Sequence, residues 1–478
     1  MTDARADSAA APRAGWIDLV REGRAVYSAL ICLGVSLHAM DVFVIATVMP
    51  SVVADIGGVA FYTWSAMLYV IASIIGAACG GYTRAAMGRR RGYTMAGAIF
   101  MLGTIGCALA PSMAALLIAR LFQGFGGGLT LALAMALISE LYVASLRQRI
   151  MAAINIVWTV TALSGPTIGG VFADIGFWRG AFWATVPLSA WLVIVAWRRL
   201  PPSGRAENLP RLPLERLGLL AISVIAVAAA GQLRVLPIQL ALLVGAVALM
   251  WFTFHRDNAA PSRLFPRGAL DALTQTGMAY WVVICVSLAY TTVTLFMPLV
   301  LQRVHGVTPL FAGGFNMLLS VMWSVGATVV AGTTGRYQRA AMVGGAALMT
   351  IGAGGLAIGT AEAPIWLIAI FGSLIGLGIG ANNVLLYTWI MSHAAKGEET
   401  ITASSIPAIR SIGVAFGSAL SGLIVNSAGL TESADGAIVS YAIDWVYGLD
   451  VIATLLTTAL TFRLVTASNA RARVPATR

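Results

Sequence analysis

Asp41 is the residue whose type and position point most directly to chemistry. It lies near the centre of the first long apolar run, Val26 to Pro50, and His38 precedes it by one helical turn on the same face. A carboxylate at that depth in a bilayer is costly and is kept where it faces a protein interior or a wet cavity. Desolvation favours its neutral form, so we interpret Asp41 as a proton carrier and His38 as a candidate partner. The alternative for each side chain is a structural hydrogen bond between packed helices.

Arg120 places a second charge inside an apolar run, and the sequence Leu-Phe-Gln-Gly-Phe-Gly-Gly-Gly follows it. A guanidinium is always charged, so within a membrane it needs a partner or a water-lined cavity. The glycines allow neighbouring helices to approach closely. We expect Arg120 to tune a proton site or to line a pathway, with an interhelical clamp as the structural alternative. Asp450, in the last apolar run, is the second-choice proton or cation site.

The composition identifies the broad class of protein. Of 478 residues, 59% are hydrophobic and 10% are charged, and several continuous runs are long enough to cross a bilayer. Most of the 30 Lys and Arg fall in alternate connections between the apolar runs, and the positive-inside rule places these connections in the cytoplasm. The net charge of +11 therefore reflects membrane topology and does not indicate binding to nucleic acid. The 4 cysteines lie inside apolar runs and the 4 histidines are scattered. We therefore expect no metal site and no cofactor beyond a coupling proton.

The apolar runs predict an all-α polytopic membrane protein with fourteen spans and both termini in the cytoplasm. If the two runs between the bundles formed a re-entrant or peripheral pair, the core would have twelve. Two six-helix halves around a basic linker are typical of alternating-access transporters. The expected division is an N-terminal segment without a signal-peptide pattern (1–25), a six-helix bundle (26–197), linkers with two extra helices (198–275), a second six-helix bundle (276–464) and a tail (465–478).

The fifth apolar run contains the sequence Ser164-Gly-Pro-Thr-Ile-Gly-Gly. Pro166 removes a backbone donor and is expected to kink the helix. Gly165, Gly169 and Gly170 predict a smooth face in tight contact with a helix of the other half. Such a helix suits a rocking interface, although ordinary helix packing would use the same residues.

A short basic stretch between the second and third runs predicts a connection on the cytoplasmic side. It contains Gly81, Gly88, Arg89 and Arg90. The simplest interpretation is a basic cluster that only sets topology.

Together these stretches resemble the major facilitator superfamily, and within it the drug:proton antiporters with fourteen helices. The similarity covers about residues 27 to 464 and implies proton coupling through the helix-4 arginine and export through the helix-5 motif. The resemblance also implies that the basic connection between the second and third runs is a cytoplasmic gate. Where this family has an acidic and then a basic residue in that gate connection, this chain has Ala85 and Ala86. The resemblance therefore implies a weakened cytoplasmic latch. The similar segments are Met40-Asp41 to Pro50, Arg120 to Gly126, Gly165 to Gly170, Trp178 to Pro187, Pro298 to Gly313 and Arg410 to Gly417.

We expect a proton-coupled antiporter of the inner membrane that exports hydrophobic or amphipathic small molecules by alternating access. It would work in the lipid bilayer as a monomer, because one chain holds both halves of a pathway. The alternative is the same fold dedicated to one cargo, such as a lipid, siderophore or secondary metabolite. No nucleophile–base pair, metal cluster or phosphate loop supports an enzyme. Candidate cavity residues are Tyr69, Asn155, Trp158, Asn316, Asn382, Asn383 and Tyr387.

Overall fold

Long helices form the regular structure in this computed structural model, and no strand occurs among the residues that it describes. The N-terminal residues 1–15 and the end of the predicted tail, 473–478, lie outside the description, as does part of the first predicted linker. The described residues are 16–21, 23–204, 213–230, 233, 235–260, 263–330, 333, 335–360, 362–395, 398–429 and 436–472.

The first half contains seven helices that make six spans. The last two, α6 and α7, form one span that is interrupted between Trp183 and Val186, and Pro187 lies in the first turn of α7. The other spans of this half are single helices. This is expected, because the bilayer core offers no hydrogen-bond partner to a free backbone N–H or C=O. The bounds are α1 Arg24–Ile56, α2 Trp64–Ala78, α3 Gly80–Leu109, α4 Met113–Leu141, α5 Ala144–Asp174, α6 Arg179–Trp183 and α7 Val186–Arg199.

The second half contains six long helices, which agrees with the predicted six-helix bundle. Its first helix, α10, is almost entirely buried and packs against α11, α14 and α15. The bounds are α10 Gln275–Arg303, α11 Pro309–Val330, α12 Gly335–Gly359, α13 Ile365–Ser392, α14 Glu399–Ser427 and α15 Gly436–Ala472.

Two further helices, α8 (Leu214–Ala230) and α9 (Leu236–Ala259), form a hairpin between the halves. Each is continuous. Among the described residues, 13 spans are long and apolar enough to be candidates for crossing a membrane, and α8 brings the number to 14. The buried face of α8 packs against α2 and α14, whereas α9 is mostly exposed. An ion pair between Arg216 and the buried Asp257 joins their ends. The hairpin is thus part of the packed body on its α8 side.

Two predicted connections are helical instead. The first helix does not end at Pro50 but continues to Ile56, because the proline lies in a membrane helix whose neighbours tolerate one missing donor. The predicted gate connection is part of α3, which breaks only at Gly88, with φ 73° and ψ 172°. Only glycine adopts this conformation without strain, and a Cβ there would lie 2.5 Å from the Ser203 carbonyl oxygen.

Hydrogen bonds join the two halves at one end of the molecule, which we call the sealed end. It is opposite the basic end, where Arg84, Arg90, Arg199 and Arg336 lie. At the sealed end, α5 meets α11 and α2 meets α14. The hydrogen bonds run from Tyr62 Oη to the Leu295 carbonyl (3.1 Å), from Asn426 Nδ2 to the Ala60 carbonyl (2.7 Å) and from the Leu310 N–H to Asp174 Oδ1 (3.1 Å).

At the basic end, the connection after α9 is tied to the start of α14. Glu398 accepts hydrogen bonds from the Arg263 guanidinium at 2.6 Å and from the Arg267 N–H at 3.1 Å. Burial alone would raise the pKa of the Glu398 carboxyl, but these hydrogen bonds outweigh it and hold that pKa below its ordinary value. The carboxylate therefore stays charged at neutral pH and fixes this connection to the second half.

We expect Gly128→Ala to destabilise the first half. A Cβ at Gly128 of α4 would lie 1.9 Å from the Ser73 carbonyl of α2, so the two helices would have to separate, at a cost of about 1–3 kcal/mol. The matched control is Gly245→Ala in α9, where the added Cβ meets nothing within 4 Å. Thermal unfolding in detergent should show a lower midpoint for the first variant and an unchanged or higher one for the control. Equal midpoints would contradict this helix packing.

Candidate functional site

The structure brings Asp41 of α1 and Arg120 of α4 into direct contact. Arg120 Nη1 donates a hydrogen bond to Asp41 Oδ2. The relative exposure is 4% for Asp41 and 0% for Arg120, so the ion pair lies inside the first half and away from lipid. A carboxylate and a guanidinium at this depth compensate each other's desolvation.

The remaining groups around Arg120 complete its coordination. Its Nε donates to the Ser65 carbonyl at 3.2 Å, and its Nη1 also reaches Gln123 Oε1 at 2.7 Å. The guanidinium carbon lies 4.2 Å from the centre of the Tyr69 ring, within cation–π range. Gln123 is oriented in turn by its hydrogen bond to Thr104 Oγ1 at 3.0 Å. The sequence did not indicate the roles of Ser65 and Thr104, because neither lies in a recognisable pattern.

The glycines after Arg120 allow the backbones around this network to touch. A Cβ at Gly124 would lie 2.2 Å from the Tyr69 carbonyl oxygen, and one at Gly126 would lie 2.3 Å from the Phe100 nitrogen. Both distances are shorter than real Cβ contacts allow. The predicted close approach at these glycines is therefore present, and it brings α2 and α3 within reach of the α4 side chains.

His38 extends the network from the ion pair toward the centre of the molecule. Its Nδ1 is 2.9 Å from the Tyr69 hydroxyl oxygen, in a hydrogen bond whose direction depends on the histidine tautomer. On its other side, the His38 ring contacts Trp158 of α5 edge to face, with ring centres 6.3 Å apart. A continuous line of contacts thus runs from Arg120 through Tyr69 and His38 to Trp158.

Trp158 and Arg410 line a cavity between the two halves, with a volume of about 490 Å³. On α11 the lining extends from the middle of the helix to Thr328, less than one turn from its basic end. The cavity therefore occupies the part of the interface between the membrane centre and the basic end. Its walls comprise Phe43, Trp158, Thr159, Ala162, Tyr290, Ser320, Trp323, Ser324, Ala327, Thr328, Val384 and Arg410.

The other predicted cavity residues have different positions. Asn316 and Asn382 donate hydrogen bonds to backbone carbonyls of adjacent helices, at Thr294 and Met342, both 3.0 Å. Tyr69 contacts Arg120 and His38, as described above. Asn383 is buried with no partner for its Oδ1 among the described residues, and Tyr387 is partly buried near Arg410. The side chain of Asn155 lies outside the description.

The three α5 glycines pack against two different helices, α1 and α11. This corrects the expectation that all three contact a helix of the other half. Cβ atoms at Gly165 and Gly169 would meet α1, near Phe43 and Val44, whereas one at Gly170 would lie 2.6 Å from Leu310 Cα of the second half. Positions 165 and 169 are one turn apart on the same face, and position 170 is about 100° further round the helix. The helix continues unbroken through Pro166, whose carbonyl oxygen lies 2.7 Å from a Cβ built on Gly313.

Asp450 belongs to a separate site in the second half. It is fully buried between α10 and α15, and Thr292 Oγ1 lies 2.5 Å and 2.6 Å from its two oxygens. The Thr292 hydroxyl also has its own helix carbonyl at Ala289, 2.9 Å away, as an acceptor. One hydrogen cannot serve all of these contacts, so a proton on Asp450 would satisfy the arrangement better than a carboxylate.

The gate residues form a network within the first half. Arg84 donates to both carboxylate oxygens of Glu140 at the end of α4 (2.5 and 2.8 Å), and Arg89 approaches the same carboxylate at 3.7 Å. The Arg90 guanidinium lies 4.7 Å from the Trp197 ring centre. Gly81 has open space around it. Glu140 thus supplies an acidic partner to Arg84, the residue that precedes Ala85.

The sequence matches the Major Facilitator Superfamily over residues 31–406. The chain belongs to this superfamily. A protein of Mycobacterium tuberculosis (strain ATCC 25618 / H37Rv), named as a probable multidrug-efflux transporter, is 32% identical over 425 residues, which cover 84% of this chain and 88% of that protein. The multidrug transporter protein MdtP of Bacillus subtilis (strain 168) is 25% identical over 434 residues, covering 85% and 77%.

Solved superfamily structures share the fold. A D-xylose–proton symporter superposes with a TM-score of 0.62 at 16% identity, covering 91% of this chain and 97% of that one. A bacterial homologue of the human lysosomal transporter Spinster gives 0.61 at 14% identity, covering 95% and 100%. The family consists of transporters rather than enzymes, and the helix count fits its fourteen-helix drug:proton antiporters.

We expect the two charges of the buried pair to be strongly coupled in stability. Asp41→Ala should lower the free energy of unfolding by about 3–5 kcal/mol, because it leaves the buried Arg120 uncompensated. The double variant Asp41→Ala with Arg120→Met should regain part of that loss. Asp444→Ala, at an exposed carboxylate on α15, is the control and should have little effect. A double variant that unfolds at a lower temperature than Asp41→Ala alone would contradict the coupling.

Proposed function

We propose that this superfamily member is a proton-coupled antiporter that exports amphipathic small molecules from the cytoplasm. The observation that carries the proposal is the buried Asp41–Arg120 pair beside a central cavity. A carboxylate held by a fixed cation inside the membrane is a group whose protonation changes the local charge balance. The name of the M. tuberculosis relative supports efflux as the direction of transport.

The contacts between the pair and the cavity give a route for coupling. Arg120 contacts Tyr69, Tyr69 contacts His38, and His38 contacts Trp158 on the cavity wall. A proton arriving at Asp41 would weaken its hold on Arg120 and change the packing along this line. These residues form an unbroken chain of contacts, and the Asp41→Asn variant tests whether that chain couples the two sites.

We infer that the structure corresponds to an inward-facing state of an alternating-access cycle. The hydrogen bonds at the sealed end close the interface there, and the cavity extends toward the basic end. The positive-inside rule assigns the basic end to the cytoplasm, which would place both termini there and the protein in the inner membrane. Cargo would then enter from the cytoplasm, and protons would enter from outside after the halves rock. One chain supplies both halves, so a monomer suffices.

We expect Asp41→Asn to remove proton coupling. Asparagine keeps the size and one acceptor oxygen for Arg120 but cannot carry a proton at this position. In proteoliposomes with an imposed pH gradient, uptake of a panel of lipophilic cations and anions should fall at least about tenfold, and cargo-induced proton release should vanish. Arg120→Lys should also lose activity, because lysine lacks the planar fork that reaches Asp41 and the Ser65 carbonyl together.

The matched control is Asp444→Asn, which neutralises an exposed carboxylate of α15. It should transport like the wild type. Gradient-driven uptake that survives in Asp41→Asn would refute the assignment, and a loss of uptake that occurs only in Asp450→Asn would move the proton site to the second half.

A further inference from the structure

Arg410 is a cation on the cavity wall with no acidic partner. It lies in α14, eleven residues after the first residue of the helix, and no ion pair or hydrogen bond joins its guanidinium to any residue that the structure describes. Among the described residues that line the cavity, Arg410 carries the single full charge. The carboxylate of Asp41, in the core of the first half, is already bound by Arg120. The positive charge at Arg410 is therefore left for something in the cavity to neutralise.

Two indole rings hold Arg410 in place and come from different halves. Its guanidinium carbon is 5.7 Å from the Trp158 ring centre on α5 and 5.8 Å from the Trp323 ring centre on α11. Trp323 is itself positioned by Tyr290, whose ring meets it edge to face at 5.2 Å. Aromatic faces within about 6 Å stabilise a cation without using its N–H donors. The donors of Arg410 therefore remain available to a ligand.

The chemistry of these walls specifies a ligand. A guanidinium fork binds the two oxygens of a carboxylate or the oxygens of a sulfonate in one plane. The indole and phenol rings offer flat apolar faces against which an aromatic ring can stack. A volume of about 490 Å³ lies within the range of small-molecule sites. A lipophilic cation would meet like charge here, and a neutral lipid would leave the guanidinium unpaired.

We propose that the cargo of this cavity is an aromatic organic anion, with Arg410 binding its acidic group and Trp158 and Trp323 flanking its ring. The proposal rests on the proposed transport function and names the substrate class of its cavity.

A matched set of probes tests the charge and the ring separately. Purified protein in a neutral detergent is titrated at pH 7 with 1-naphthoate, with 1-naphthylmethylammonium and with cyclohexanecarboxylate, and binding is measured by calorimetry. We expect 1-naphthoate to bind at least about tenfold more tightly than either of the others. The first comparison reverses the charge on the same ring, and the second keeps the charge and removes the aromatic face. Equal or tighter binding of the ammonium probe would overturn the proposal.

Variants of Arg410 connect this preference to one side chain. Arg410→Gln should weaken 1-naphthoate binding about tenfold or more, the typical value of a charge-assisted hydrogen bond, while leaving the ammonium probe unchanged or better bound. Arg410→Lys should give an intermediate loss. The matched control is Arg336→Gln, an exposed arginine stacked on Tyr337 at 4.7 Å, which should bind 1-naphthoate like the wild type. Thermal unfolding midpoints are recorded for each variant.

A purely structural Arg410 predicts a lower unfolding midpoint with no change in charge preference, and that result would refute the anion site. Bound radiolabelled 1-naphthoate can also be displaced by competitors. If a short-chain phosphatidylglycerol displaces it at a lower concentration than unlabelled 1-naphthoate does, the guanidinium binds a lipid headgroup, and that result would also refute the proposed cargo. Failure here is separable from failure of the proposed function, because binding in detergent needs no pH gradient. If Asp41→Asn abolishes gradient-driven uptake of other compounds while 1-naphthoate does not bind the wild type, the results support proton antiport and refute the anion cargo.

Discussion

The free energy needed to bury the Arg120 guanidinium is the constraint on which the first half depends. Transfer of an ion from water to a low-dielectric medium has an idealised cost of about 20 kcal/mol, and several kcal/mol remain after relaxation. The first half offsets this with the Asp41 carboxylate, the Gln123 amide oxygen, the Ser65 carbonyl and the Tyr69 ring. These groups come from α1, α2 and α4. The charge therefore fixes how three helices pack, and the glycines of α4 are needed because larger residues would keep the acceptors out of reach.

A change at Asp41 has a short path to the interface between the halves. Protonation would leave Arg120 with neutral acceptors alone, so the contacts of α1 would adjust. The next turn of α1 packs against Gly165 and Gly169 of α5, and the adjacent Gly170 packs against Leu310 of the second half. One helix thus connects the charged site with the opposite bundle through close backbone contacts, which transmit displacement because there is no flexible side chain between them.

The spans could be predicted from the sequence because they are long apolar runs. Asp41 and Arg120 could be singled out because each places a charge inside such a run. The contact between Asp41 and Arg120, 79 residues apart, could not be predicted because hydropathy does not fix which helix faces meet. The pairing of Glu140 with Arg84 could not be predicted either, because the two residues lie 56 positions apart on different helices. Arg410 was quoted as part of a motif and not as a site residue. Arg410 lies within α14, Glu399–Ser427, and its position on the cavity wall could not be predicted, because the sequence does not fix which face of a helix turns toward the other half.

In the proposed exchange, the two cations Arg120 and Arg410 have different roles. Arg120 is paired with an acid that would take up the proton, and Arg410 would bind the anion. If one monoanion leaves as one proton enters, two elementary charges cross the membrane in the same electrical sense, a driving force of about 4.6 kcal/mol at 100 mV. One-for-one exchange of a monovalent cation moves no net charge and depends on the pH gradient alone. Under the proposed coupling, a single proton-binding carboxylate would therefore be sufficient to concentrate an anion outside the cell. A cation exporter that moves the same net charge would need more protons than Asp41 and the distant Asp450 could carry together.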